Sequence, residues 1–139
     1  MRDHVEQEFE ADLAQLERIG EFMVTVLREF GLEEQKIFHL QLAVDEACAN
    51  IIKYGYAAEM AGAKKIMICC SRCDGAIAVE IRDKGKPFDP RTVAPPDLEA
   101  SLEEREIGGL GIYFMTKLTD AISYAYKDGQ NVLTMVVRY

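Results

Sequence analysis

Glu46 and Asn50 lie four residues apart in LAVDEACANIIKYGY, residues 42–56. On a helix that spacing puts both on one face. Asn50 offers a neutral oxygen suited to Mg²⁺, an ion that keeps most of its waters and takes few protein ligands beside substrate phosphates. The Glu46 carboxylate, one turn earlier, can orient or deprotonate an attacking hydroxyl. An ordinary polar helix face would carry the same pair. Asp83-Lys84-Gly85 follows an apolar run. A carboxylate there can accept from an exocyclic amino group such as that of adenine, and Gly85 lets the backbone approach a flat base. A plain turn after a strand is the alternative. Gly108-Gly109-Leu110-Gly111 opens a third helical pattern, where exposed backbone N–H groups and the helix dipole favour an anion such as phosphate. No Gly-Lys-Ser/Thr follows, so this is neither a Walker A loop nor a dinucleotide fingerprint. Each signal is weak alone. Together they supply a metal ligand with a candidate base, an adenine acceptor and a phosphate cradle.

The elements that must position these residues are legible from periodicity. Apolar residues at Leu13, Leu16, Ile19, Phe22, Met23, Val26, Leu27 and Phe30 predict an amphipathic helix over 11–30, stopped by Gly31. A second helix runs over about 33–54, with a stripe through Ile37, Leu40, Val44, Ala47, Cys48 and Ile51. Val5, Gln7 and Phe9 alternate as in an edge strand. Strands over 65–72 and 76–82 are joined by Cys73-Asp74-Gly75, a strong hairpin signal. The polar stretch 84–107 holds all four prolines and has the length of a functional lid, with a short helix in LEASLEERE. A third helix over 112–118 leads to strands over 121–126 and 132–138, turned at Lys127-Asp128-Gly129-Gln130. This order predicts one α+β domain over 1–139, a two-layer sandwich with helices on one face of a mixed, mostly antiparallel sheet.

With 139 residues and a net charge of −8, the chain suits a single acidic domain and not direct binding to nucleic acid, whose backbone demands a concentrated basic surface. No apolar stretch nears the roughly 20 residues that cross a bilayer. The opening MRDHVEQEFE lacks the apolar core of a signal peptide, so a cytoplasmic protein without membrane contact is expected. Cys69 and Cys70 would point to opposite faces of a strand. Cys48, Cys69, Cys70 and Cys73 therefore read as packing residues more readily than as a metal site.

The three motifs in this order resemble the GHKL (Bergerat-fold, histidine-kinase-like) ATPase superfamily, which includes histidine kinases and gyrase-type proteins. The resemblance covers nearly the whole chain. Glu46 and Asn50 match the family's N box, Asp83 and Gly85 its first glycine box, and Gly109 and Gly111 its second. It implies ATP and Mg²⁺ as cofactors: Asn50 on the metal, Asp83 on the adenine amino group, and Gly108, Gly109, Leu110 and Gly111 on phosphates. The wording of LAVDEACANIIKYGY and IRDKGKPFDP is similar to the bacterial anti-sigma-factor serine/threonine kinases, which phosphorylate an anti-anti-sigma partner of the STAS type. Pro87 stands where histidine kinases usually carry a further glycine. No phosphoacceptor hairpin surrounds His4 or His39, which read as surface or packing residues. In such a kinase Glu46 would activate the partner's hydroxyl. Arg105 or Lys86 from the lid would add charge at the γ-phosphate, and Lys53 is a weaker candidate beside it. The resemblance also implies a homodimer and binding to a sigma factor. The apolar face of the first helix is a candidate seam, with core packing the alternative. A non-catalytic ATP-binding switch module that sequesters a partner is the rival reading, and the retained Glu46 leans towards the kinase.

Overall fold

The computed structural model describes residues 3–56, 62–92 and 109–139, with the backbone alone for 109–112. The elements are β1 (His4–Glu10), α1 (Leu16–Glu29), α2 (Glu34–Asn50), β2 (Lys65–Cys73), β3 (Ala76–Asp83), α3 (Gly109–Lys117), β4 (Ala121–Lys127) and β5 (Gln130–Arg138). A 3-10 turn at Leu13–Gln15 leads into α1, and a π turn at Ile51–Gly55 continues α2.

Local chemistry accounts for the boundaries. The Asp12 carboxylate accepts the Ala14 N–H at 3.0 Å and caps the entry to α1. At the far end Gly31 takes a φ of 89°, and the Leu32 N–H reaches back to the Leu27 carbonyl at 3.1 Å. This is the left-handed stop that glycine adopts without penalty. Ile19, Met23, Val26 and Leu27 of α1 are buried, so this part of its apolar face packs into the core. Both hairpins turn on Asp-Gly. Asp74 and Gly75 have φ of 46° and 79°, and Asp128 and Gly129 have 55° and 77°, the paired positive values of a type I′ turn.

The strands form one sheet in the order β1-β2-β3-β5-β4, with β1 at an edge as expected. Every pairing is antiparallel. The parallel component of the expected mixed sheet is therefore absent among the described strands. Two tight hairpins cannot give parallel neighbours, and α1 and α2 together return the chain so that β2 runs against β1. On one face Ile66, Ile68, Cys70, Ile77, Val79, Ile81, Leu133, Met135 and Val137 meet the buried sides of α1 and α2 and Met115 of α3. The Cys70 thiol lies in this layer, 3.9 Å from the Met23 sulfur, and burial pushes it up to about 12. Cys69 faces the other way, against the Glu6 carboxylate at 3.5 Å, and burial first and Glu6 second raise it to about 11. The same alternation places Asp83 and Asn131 on the inner face, directly opposite each other across β3 and β5. No helix among the described residues is long and apolar enough to cross a membrane.

Candidate functional site

Among the described residues, the buried polar ones are Asn50, Asp83 and Asn131, exposed by 4%, 3% and 2%. A buried polar group must find partners, and these three find them along a single segment, residues 83–90. Asp83 Oδ1 accepts the Gly85 N–H at 2.9 Å and the Asn131 amide nitrogen at 3.0 Å. Asn131 also donates to the carbonyls of Gly85 at 3.3 Å and Lys86 at 2.9 Å. Its oxygen accepts the Phe88 N–H at 2.9 Å and the Tyr124 hydroxyl. One inward-facing amide on β5 thus pins the loop that leaves β3.

The second support comes from the end of α2. The helix loosens into its π turn just after Asn50, and the Tyr56 N–H bonds to the Ile51 carbonyl at 3.0 Å. This geometry is rare and recurs at functional positions. Tyr56 then donates to the Lys65 carbonyl at 2.6 Å and accepts the Lys84 N–H at 3.0 Å. The Gly55 carbonyl accepts the Lys86 N–H at 3.1 Å. A Cβ on Gly85 would lie 2.7 Å from that same carbonyl. Close approach of two backbone segments therefore requires glycine here, a reason separate from room for a base.

Asn50 lies where α2 meets this segment. Its amide nitrogen donates to the Pro90 carbonyl at 3.2 Å and lies 3.5 Å from Glu46 Oε1. Glu46 is half-buried one turn back. Asp83 carries the main electrostatic cost, because burial raises its carboxyl above the ordinary range and the bonds from Gly85 and Asn131 only partly offset this. Both of those bonds fall on Oδ1, and Oδ2 is the oxygen that could meet a ligand's donor. On Asn50 both partners among the described residues fall on nitrogen, and Oδ1 is the atom that could meet a cation.

The family model described as "Histidine kinase-like ATPase domain" matches residues 9–137. The chain belongs to this family. It is 28% identical over 115 residues to a serine-protein kinase RsbW of Bacillus thuringiensis, covering 80% of this chain and 70% of that protein. It is 32% identical over 98 residues to the serine/threonine-protein kinase BtrW of Bordetella bronchiseptica, covering 70% of this chain and 68% of that one. These likenesses bear out the kinase branch that the motifs indicated. Among solved structures, the RsbU and RsbW domains of Rv1364c from Mycobacterium tuberculosis superpose with a TM-score of 0.66 at 14% identity. The match covers 99% of this chain and 32% of that one, and it speaks to the fold.

Within this histidine kinase-like ATPase domain, Glu46, Asn50, Asp83 and Gly85 gather along residues 83–90. Gly109, Leu110 and Gly111 form the first turn of α3, while Gly108, Arg105 and the other residues of 93–107, expected to belong to a lid, lie outside the described residues. Residues 84–92, read as the start of the lid, are tied to the body by the bonds above. Lys53 and Lys86 are both exposed. The Lys53 charge is felt at Asp45, whose carboxyl burial holds above its ordinary value and Lys53 draws back. His39 stacks on Phe114 with ring centroids 4.6 Å apart and joins α2 to α3, a packing role as expected. The sequence reading passed over Asn131, Tyr56 and Tyr124. For Asn131 a signal existed: a polar residue at an inward position of an otherwise apolar alternation.

Proposed function

We propose that this chain binds Mg²⁺-ATP and transfers the γ-phosphate to a serine or threonine of a STAS-type anti-anti-sigma protein, and that it acts as an anti-sigma factor. The observation that carries the reading is the convergence of Asn50 and Asp83 on one bonded segment, each with a single side-chain oxygen left over. A buried carboxylate with one oxygen fixed and one available suits the amino edge of adenine, because only an acceptor matches that donor. A neutral amide oxygen beside a carboxylate suits an ion that keeps most of its waters. When bound, Mg²⁺ neutralises the nucleotide's phosphates. Asn50 Oδ1 holds it, and the N–H groups of the first turn of α3, Gly109 to Gly111, with Gly108, bind phosphate oxygens. Glu46 would accept the proton of the partner's hydroxyl as that oxygen bonds to the γ-phosphorus, while the bond from phosphorus to the β–γ bridging oxygen breaks and ADP leaves. Arg105 and Lys86, with Lys53 at the margin, supply charge to the γ-phosphate. By its resemblance to the anti-sigma kinases the reading extends to a cytoplasmic homodimer that also binds a sigma factor.

The test is to recover the copurifying partner and follow label from γ-labelled ATP. Label on a partner serine or threonine supports the kinase. Tight nucleotide binding without transfer replaces it with the switch module, and absence of nucleotide binding overturns both.

A further inference from the structure

Resting on that reading, we propose that the turn Asp89–Thr92 is a positioning device for Asn50, which fixes the amide so that its oxygen, not its nitrogen, is presented to the cation.

The two ends of an asparagine amide differ by one exchange of nitrogen and oxygen, and a buried amide with neutral surroundings can settle either way. Here chemistry decides. The Pro90 carbonyl, 3.2 Å from one end of the Asn50 amide, is an acceptor only. Glu46 Oε1 lies 3.5 Å from the same end. That end must be the NH₂ group, and the opposite end the oxygen. Flipping the amide would set its oxygen against the Pro90 carbonyl in a buried place, at the cost of a lost bond and a lone-pair clash.

The Pro90 carbonyl can do this only if it is itself held, and the residues around it form a closed clasp. Pro90 is buried. The Asp89 carboxylate accepts the Arg91 N–H at 3.0 Å and takes the Arg91 guanidinium through both oxygens, with Nε at 3.0 Å and Nη2 at 2.6 Å. The Asp89 carbonyl accepts the Thr92 N–H at 3.0 Å and the Thr92 hydroxyl at 2.7 Å. The forked pair is partly buried and charge-assisted, the strongest class of side-chain bond. It lies one residue on each side of the carbonyl it steadies. Arg91 thereby acts on the metal ligand through the backbone, with no contact to Asn50 of its own. Outer groups that orient a metal ligand commonly matter on the order of tenfold to a hundredfold in metal affinity.

The experiment measures ATP affinity in Mg²⁺ and in EDTA for the intact protein, Arg91→Ala, Arg91→Lys and Thr92→Val. The quantity read is the ratio of the two dissociation constants. The expected result is a ratio reduced on the order of tenfold in Arg91→Ala, less in Arg91→Lys and Thr92→Val, with affinity in EDTA unchanged within about twofold. A merely structural turn would weaken both affinities together and leave the ratio unaltered, which overturns the proposal. An Arg91 that touches phosphate directly would weaken affinity in EDTA most, which also overturns it. Thr92→Val, a change at an exposed hydroxyl, keeps the test decisive if Arg91→Ala does not fold. An intact protein that binds ATP equally in Mg²⁺ and EDTA removes Asn50 as metal ligand and the proposal with it. Mg²⁺ dependence in the intact protein with unaltered ratios in every variant removes the proposal alone.

Discussion

Asn50 at the end of α2 and Asp83 at the end of β3 are both buried against residues 84–90, but they are held by different parts of the molecule. Asp83 is mounted on a central strand and braced by Asn131 from the next strand, with Tyr124 and Tyr56 fixing the loop around it. Asn50 sits at the end of a helix just before that helix loosens, braced by one backbone carbonyl. The sheet side is a network in which each polar group satisfies several others. On the helix side Asn50 reaches Glu46 only at the outer limit of hydrogen-bond distance. A rigid acceptor suits recognition of a flat base. An amide fixed by a single carbonyl suits a ligand that must present one atom in one direction.

Substitutions can break that contrast. The largest expected effect is on the helix side: Glu46→Ala should lower transfer to the partner by about 10²- to 10⁴-fold. Nucleotide affinity should stay nearly unchanged in an equilibrium titration. Transfer that survives would remove Glu46 from the mechanism. On the sheet side, Asp83→Asn keeps Oδ1 as acceptor for Gly85 and Asn131 but turns the other oxygen into a donor, which would oppose the amino group of adenine in the proposed site. Affinity for ATP should fall by about 10- to 100-fold, the worth of a charged hydrogen bond, while the melting temperature does not drop.

The pH dependence of that pair sharpens the point. Burial raises the Asp83 carboxyl in the folded state above its ordinary value of 3.8, so between those two values the native protein holds a proton that the unfolded chain has lost. Stability contributed by this group must then fall as pH rises through the window. Relative to Asp83→Asn, the intact protein should show a deficit that is full above the raised pKa and vanishes as pH falls towards 3.8. Urea titrations across acid pH would reveal it, and a deficit that grows on acidification would contradict the stated sign.

Smaller effects test the brace. Asn131→Ala strips one bond from Asp83, takes the donor from the Gly85 and Lys86 carbonyls, and leaves the Phe88 N–H with the Tyr124 hydroxyl alone. A loss of about 1–3 kcal/mol is expected, seen as a lower urea midpoint together with weaker ATP binding. Tyr124→Phe removes one hydroxyl from a shared acceptor and should cost about 1 kcal/mol or less. Equal losses for the two variants would mean that the network does not centre on Asn131.

Much of this was legible before folding. The two Asp-Gly turns, the glycine stop of α1 and the inward stripe of α2 announce themselves through local chemistry and lie where the pattern put them. The predicted first turn of α1 is instead a 3-10 turn with Leu13 exposed. Glu46 and Asn50 share a helix face because four residues make about one turn. The π turn was not legible. Residues 51–54 carry helical apolar spacing, and the five-residue bond from Tyr56 is selected by the docking of its hydroxyl between Lys65 and Lys84. Asn131 was half legible: its polarity breaks the alternation, but its partner sits on β3, 48 positions away in sequence.

The sequence by itself determined the chemical inventory, the turns and the faces, because residue type and short spacing act over a few bonds. The tertiary structure alone decided which of those residues form one site. The register between β3 and β5, which are not consecutive strands, sets Asp83 opposite Asn131. The backbone carbonyls of Gly55 and Pro90, which no side-chain pattern marks, decide why residue 85 is glycine and which end of Asn50 faces outward. Strand pairing and buried carbonyls are properties of where the chain returns to, and that is settled only when the core closes.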